Sequence, residues 1–96
     1  MARAYRFFGA QFSPQWAKSY ASFQPADQKG IDKVVMALLK GETTPGMRIK
    51  PIEPEKYFDE ARANDGDRVV FRIAEDTVYF VDIVAHDDIE RYGRKR

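Results

Sequence analysis

The sequence predicts an α+β domain of order β-α-α-β-β-β, a mostly antiparallel sheet with a helical hairpin on one face. Three observations lead there. Two neighbouring stretches carry apolar residues at helical spacing behind proline-marked starts. Two later runs, 66–73 and 77–86, are rich in β-branched and aromatic residues and are separated by Ala74-Glu75-Asp76, which reads as a hairpin. The strand-like runs also follow the helical ones instead of alternating with them, so βαβ crossovers are not expected.

Residues 3–12 cluster aromatics without helical spacing and read as a first strand, with Gly9 as a bulge or close backbone approach. Ser13-Pro14 supplies an N-cap followed by proline at the first helical position. Trp16, Tyr20 and Phe23 then fall on one face of a helix ending near residue 23. Gln24-Pro25-Ala26-Asp27 repeats the start signal. Ile31, Val34, Val35, Leu38 and Leu39 form an i, i+3, i+4, i+7, i+8 stripe that Gly41 terminates. Residues 43–47 read as a turn, and 48–55 as extended, because Pro51 and Pro54 disfavour helix before them. A strand over 57–63 ends at the turn cluster Asn64-Asp65-Gly66-Asp67. After His86, residues 87–92 suit one helical turn, and 91–96 are expected to fray as a basic tail.

A chain of 96 residues makes one domain, spanning 1–96, with a single core. There is no cysteine, which excludes disulfides and thiolate metal sites, and one histidine argues against a protein-only zinc site. The start lacks the apolar run of a secretory signal, and no 18 apolar residues follow one another, so a cytoplasmic protein without membrane contact is expected. Formal net charge is only +1, so a nucleic-acid role has to rest on local clustering of bases.

Period-2 alternation sorts the hairpin. Val69, Phe71 and Ile73 are assigned to the helix side, and Arg68, Val70 and Arg72 to the other. In the last strand both alternating sets are apolar. Assigning Tyr79, Val81, Ile83 and Ala85 to the core leaves Asp82 and His86 beside the arginines, on a face open to solvent or a partner. Phe58, Glu60 and Arg62 share a side and would join them. Solvated sheet faces ordinarily carry such residues as cross-strand pairs, so composition alone leaves a plain polar surface as one reading.

The second half also resembles the RelE/ParE superfamily of bacterial type II toxins. The resemblance rests on Arg62, on Gly66-Asp67-Arg68-Val69-Val70-Phe71-Arg72-Ile73, and on a last strand closing at His86 with Tyr92 shortly after. The chain departs from the family pattern by lacking an aromatic residue before Arg68. It also has Asp87 and Asp88 where many relatives carry bases. The resemblance implies a toxin that cleaves mRNA in the ribosomal A site without metal or other cofactor and is held inactive by an antitoxin. Arg68, His86, Tyr92 and Glu60 are then the candidate catalytic residues, with Glu53 and Lys50 as further helpers. Lys50, Arg62 and Arg72 are the candidate RNA-binding residues. A ParE-like gyrase inhibitor and a catalytically inactive antitoxin-binding relative are the alternatives. The sequence does not give an oligomeric state.

Overall fold

The computed structural model describes residues 8–94. Residues 3–7 of the expected first strand and the last two of the basic tail lie outside that range. The elements are β1 (Gly9–Phe12), α1 (Pro14–Ala21), α2 (Pro25–Lys40), a 3-10 turn (Pro45–Met47), β2 (Lys50–Pro51), β3 (Asp59–Arg62), β4 (Asp67–Ala74), β5 (Thr77–Ala85) and a C-terminal 3-10 helix (His86–Tyr92). The predicted order holds, with the two-residue β2 added. One sheet runs β1-β5-β4-β3-β2, antiparallel except for β1, which pairs with β5 in parallel.

Helix starts and stops follow the sequence signals. The Ser13 hydroxyl accepts from the Trp16 N–H at 3.0 Å and donates to the Val81 carbonyl at 2.6 Å, so one cap fixes α1 to β5. Gly41 ends α2 in the left-handed conformation (φ 70°), which a Cβ would oppose. Ile31, Val34 and Leu38 of the α2 stripe are buried with Trp16 of α1 against Ala61, Val69, Phe71, Val78, Phe80 and Ile83 of the sheet. Each large side chain buried this way contributes about 1.5–3 kcal/mol.

Several strand assignments are corrected. β4 pairs Val70 with Asp82 but Phe71 with Phe80, so Val81 is an extra residue in β5. The alternation changes phase there: Val78 and Phe80 face the helices before the bulge, and Ile83 does after it. Tyr79 and Ala85, expected in the core, are therefore exposed, and Val81 packs on the opposite cluster. Ile73 is also exposed: it pairs with Val78 of β5 on one side, but β3 stops opposite Phe71 on the other.

The second face is not open along its length. Ile52, Val70 and Val84 form a smaller buried cluster, covered by Phe58, Val81, Ile89 and Tyr92. Nor does the chain fray at 93: Gly93 is buried, and its carbonyl accepts from the Glu55 N–H at 2.9 Å. A Cβ on Gly93 would collide with the Glu53 carbonyl oxygen, so only glycine lets the C-terminal segment lie against residues 53–55. Arg94 follows with an ion pair to Glu55 at 3.7 Å.

Candidate functional site

Strand register brings distant residues together at one end of the second face. β2 sets Lys50 opposite Glu60, and β3 sets Glu60 opposite Val70 and Arg62 opposite Arg68. β4 sets Asp67 opposite Ala85, so the residue after β5, His86, falls at the same end. The His86 N–H donates to the Gly66 carbonyl at 2.7 Å and anchors that position. A cleft of about 330 Å³ results, lined by Arg48, Ile49, Lys50, Glu60, Arg68 and His86.

The turn before β4 builds the seat for Arg68. Asn64 Oδ1 accepts from the N–H groups of Gly66 (2.9 Å) and Asp67 (2.8 Å), folding 64–67 into a side-chain-stabilised turn. The turn's carbonyls then face Arg68, whose Nη1 donates to those of Asn64 (2.9 Å), Asp67 (3.1 Å) and Asp65 (3.3 Å). Arg68 Nε stands 3.8 Å from Glu60 Oε1, and both side chains are largely enclosed, at 13% and 6% exposure. The arginine is held in place before any ligand arrives.

The lining carries three cations (Arg48, Lys50, Arg68), one carboxylate (Glu60) and one imidazole. Asp87 and Asp88 are exposed and are not part of the wall. A concave surface with surplus positive charge attracts anions. Among the described residues, no three His, Asp or Glu side chains are grouped to hold a metal ion.

Four of the sequence-predicted residues meet here: Lys50, Glu60, Arg68 and His86. Three do not. Arg62 ion-pairs with Asp65 and lines a different groove, beside α2 and the 44–47 segment. Arg72 lies 4.5 Å above the Tyr57 ring. Tyr92 packs edge-on against Phe58, 5.9 Å between centroids, and its hydroxyl donates to Asp82. Burial and the Asp82 carboxylate push the Tyr92 phenol up to about 12.

Asp82, expected beside the arginines, is only 1% exposed and also accepts from the Ser19 hydroxyl at 2.5 Å and the Ile83 N–H at 2.7 Å. An acid amid apolar strand residues was the available signal for a buried, partnered carboxylate. Arg48 was not singled out from the sequence, although it stands two residues before Lys50.

No protein-family model and no curated protein matches the chain. Solved structures do share its fold. A chain of the E. coli DinJ-YafQ toxin-antitoxin complex superposes with a TM-score of 0.74 at 13% identity, covering 83% of this chain and 93% of that one. The toxin-antitoxin complex RelBE2 from Mycobacterium tuberculosis gives 0.66 at 17% identity, with 83% and 99% covered. A YoeB/ParE toxin from Agrobacterium tumefaciens gives 0.69 at 11% identity, with 81% and 98% covered. The chain shares its fold with these structures over nearly their whole length.

Proposed function

We propose that this protein is the toxin of a type II toxin-antitoxin module and cleaves mRNA on the ribosome. The observation that carries the reading is the cleft itself, where Arg68, Lys50, Glu60 and His86 converge from four separate stretches of chain. RNA cleavage by its own 2′-hydroxyl needs a base, a cation for the charge gathering on phosphorus, and an acid for the leaving oxygen. Glu60 takes the 2′-OH proton as the O2′–P bond forms. Arg68 and Lys50 stabilise the phosphorane oxygens. His86 in its protonated form gives its proton to O5′ as the P–O5′ bond breaks, leaving a 2′,3′-cyclic phosphate and a 5′-hydroxyl. Tyr92 is left out of the chemistry, because its hydroxyl is bound to Asp82. Arg62 and Arg72, which stand outside the cleft, are left out of RNA binding there.

An antitoxin is the proposed regulatory partner, since structural neighbours are described as toxin-antitoxin complexes. Ribosome and mRNA place the activity in the cytoplasm. Among the described residues, no helix is long and apolar enough to cross a membrane. A second reading, an antitoxin-binding relative without nuclease activity, is favoured by one observation: Arg68 Nη1 is already engaged by three carbonyls.

Expression without any antitoxin, followed by mapping of mRNA 5′ ends with and without translation, separates the readings. Nuclease action gives translation-dependent 5′-hydroxyl ends inside coding regions, reduced about 10²-fold or more by Arg68→Ala or His86→Ala. Intact mRNA with a DNA-damage response would establish a gyrase inhibitor instead. Absence of both would favour the binding relative.

A further inference from the structure

We infer that Arg48 binds an RNA phosphate next to the scissile one, and that it occupies a backbone position suited to glycine because that contact needs a guanidinium. The inference rests on the RNA-cleaving reading of the cleft and adds a subsite to it. Arg48 ends the 3-10 turn with φ 47° and ψ 47°, and its N–H donates to the Pro45 carbonyl at 3.1 Å. This left-handed conformation swings the chain from Met47, buried in the main core, to Lys50 on the edge strand. Side-chain-bearing residues are disfavoured there, and glycine is the ordinary solution. The chain uses that solution at Gly41, where α2 ends and nothing is asked of a side chain.

Two other non-glycine residues have positive φ, Lys56 and Glu75, and both are exposed outside the cleft. Arg48 alone among these three combines the strained backbone with a place in the cleft wall. It is exposed, and among the described residues no carboxylate lies within ion-pair distance of its guanidinium or of the Lys50 ammonium. In a chain with 15 acids for 16 Lys and Arg, that leaves one wall of the cleft uncompensated. A guanidinium fork takes two oxygens of a phosphodiester at once, and a ribose-phosphate strand supplies the next such group beside the one held at Arg68.

The test uses the full chain and a 2′-O-methyl RNA oligonucleotide, whose capped hydroxyls prevent cleavage, titrated across salt concentrations. Arg48→Gly is expected to lower the magnitude of the log-affinity versus log-salt slope by about 0.7, one single-strand phosphate contact, and to weaken binding roughly 5–10-fold at 50 mM salt. The same variant is expected to melt several degrees higher than the parent, as relief of a left-handed side-chain-bearing residue requires. Arg48→Lys should keep the slope, since an ammonium still neutralises one phosphate, but should weaken binding about 3-fold because it cannot take two oxygens at once. If Lys50→Gln lowers the slope and Arg48→Gly does not, the Arg48 subsite is overturned and the cleft stands. If the parent chain binds no RNA, the Arg48 subsite falls, while cleavage on the ribosome is decided separately by the translation-dependent 5′ ends. A lower melting temperature for Arg48→Gly would overturn the claim that the position is kept for ligand and not for the fold.

Discussion

Two groups of polar residues drawn from the same strands and their flanks have opposite characters. Around Asp82, a carboxylate that is 1% exposed receives hydrogen bonds from Ser19 of α1, from the Ile83 N–H of β5 and from Tyr92 of the C-terminal 3-10 helix. Around Arg68, the cleft holds three cations against one carboxylate, and Arg48, Lys50 and His86 are exposed. The first group is internally satisfied and ties three elements together. The second is supported from behind by the 64–67 turn but leaves charge facing outward. Saturated hydrogen bonding marks the group that holds the fold, and surplus exposed charge marks the group that can take an anionic ligand.

The largest stability effect should come from the satisfied group. Asp82→Ala leaves the Ser19 and Tyr92 hydroxyls and a buried N–H without their acceptor, and should cost about 3–5 kcal/mol in denaturant unfolding. Lys50→Gln, in the cleft, should stay within about 0.5 kcal/mol. Similar losses at both sites would dissolve the distinction. Gly93→Ala comes next. The added Cβ must displace the Glu53 carbonyl or lift the C-terminal segment, at about 1–3 kcal/mol, read from the unfolding midpoint. An unchanged midpoint would mean that this segment is not docked as described.

The smallest effect is a pH dependence. Tyr92 has its folded-state pKa raised to about 12 from the ordinary 10, so between those values the folded chain binds more protons than the unfolded one. Its contribution is fully present below pH 10 and is lost as pH rises towards 12. Tyr92→Phe should remove that part of the alkaline slope, measured by unfolding across pH 9–12.

The helical hairpin was legible because a 3.6-residue period fixes which side is buried: Ile31, Val34 and Leu38 could face only one way. The phase of β5 was not legible. With apolar residues on both sides of the strand, alternation carries no direction, and a one-residue bulge at Val81 reverses it without any turn residue to announce it. The same ambiguity hid Asp82, whose side could not be assigned without the bulge. In the cleft, alternation put Glu60, Arg68 and His86 on one face, and Lys50 was named only through the resemblance of the second half to a known family. Arg48 could not be found, since its role depends on a left-handed backbone that no glycine or asparagine signals. Tyr92 had the right spacing from His86 to be a candidate, but spacing does not say that Asp82 waits for its hydroxyl.

The central claim is that function resides in the cleft and not in the Asp82–Tyr92 cluster. The most direct measurement compares mRNA cleavage in cells by Arg68→Ala and Tyr92→Phe at matched levels of folded protein. Cleavage should be lost in Arg68→Ala and kept within a few-fold of the parent in Tyr92→Phe. Loss in Tyr92→Phe with cleavage retained in Arg68→Ala would contradict it.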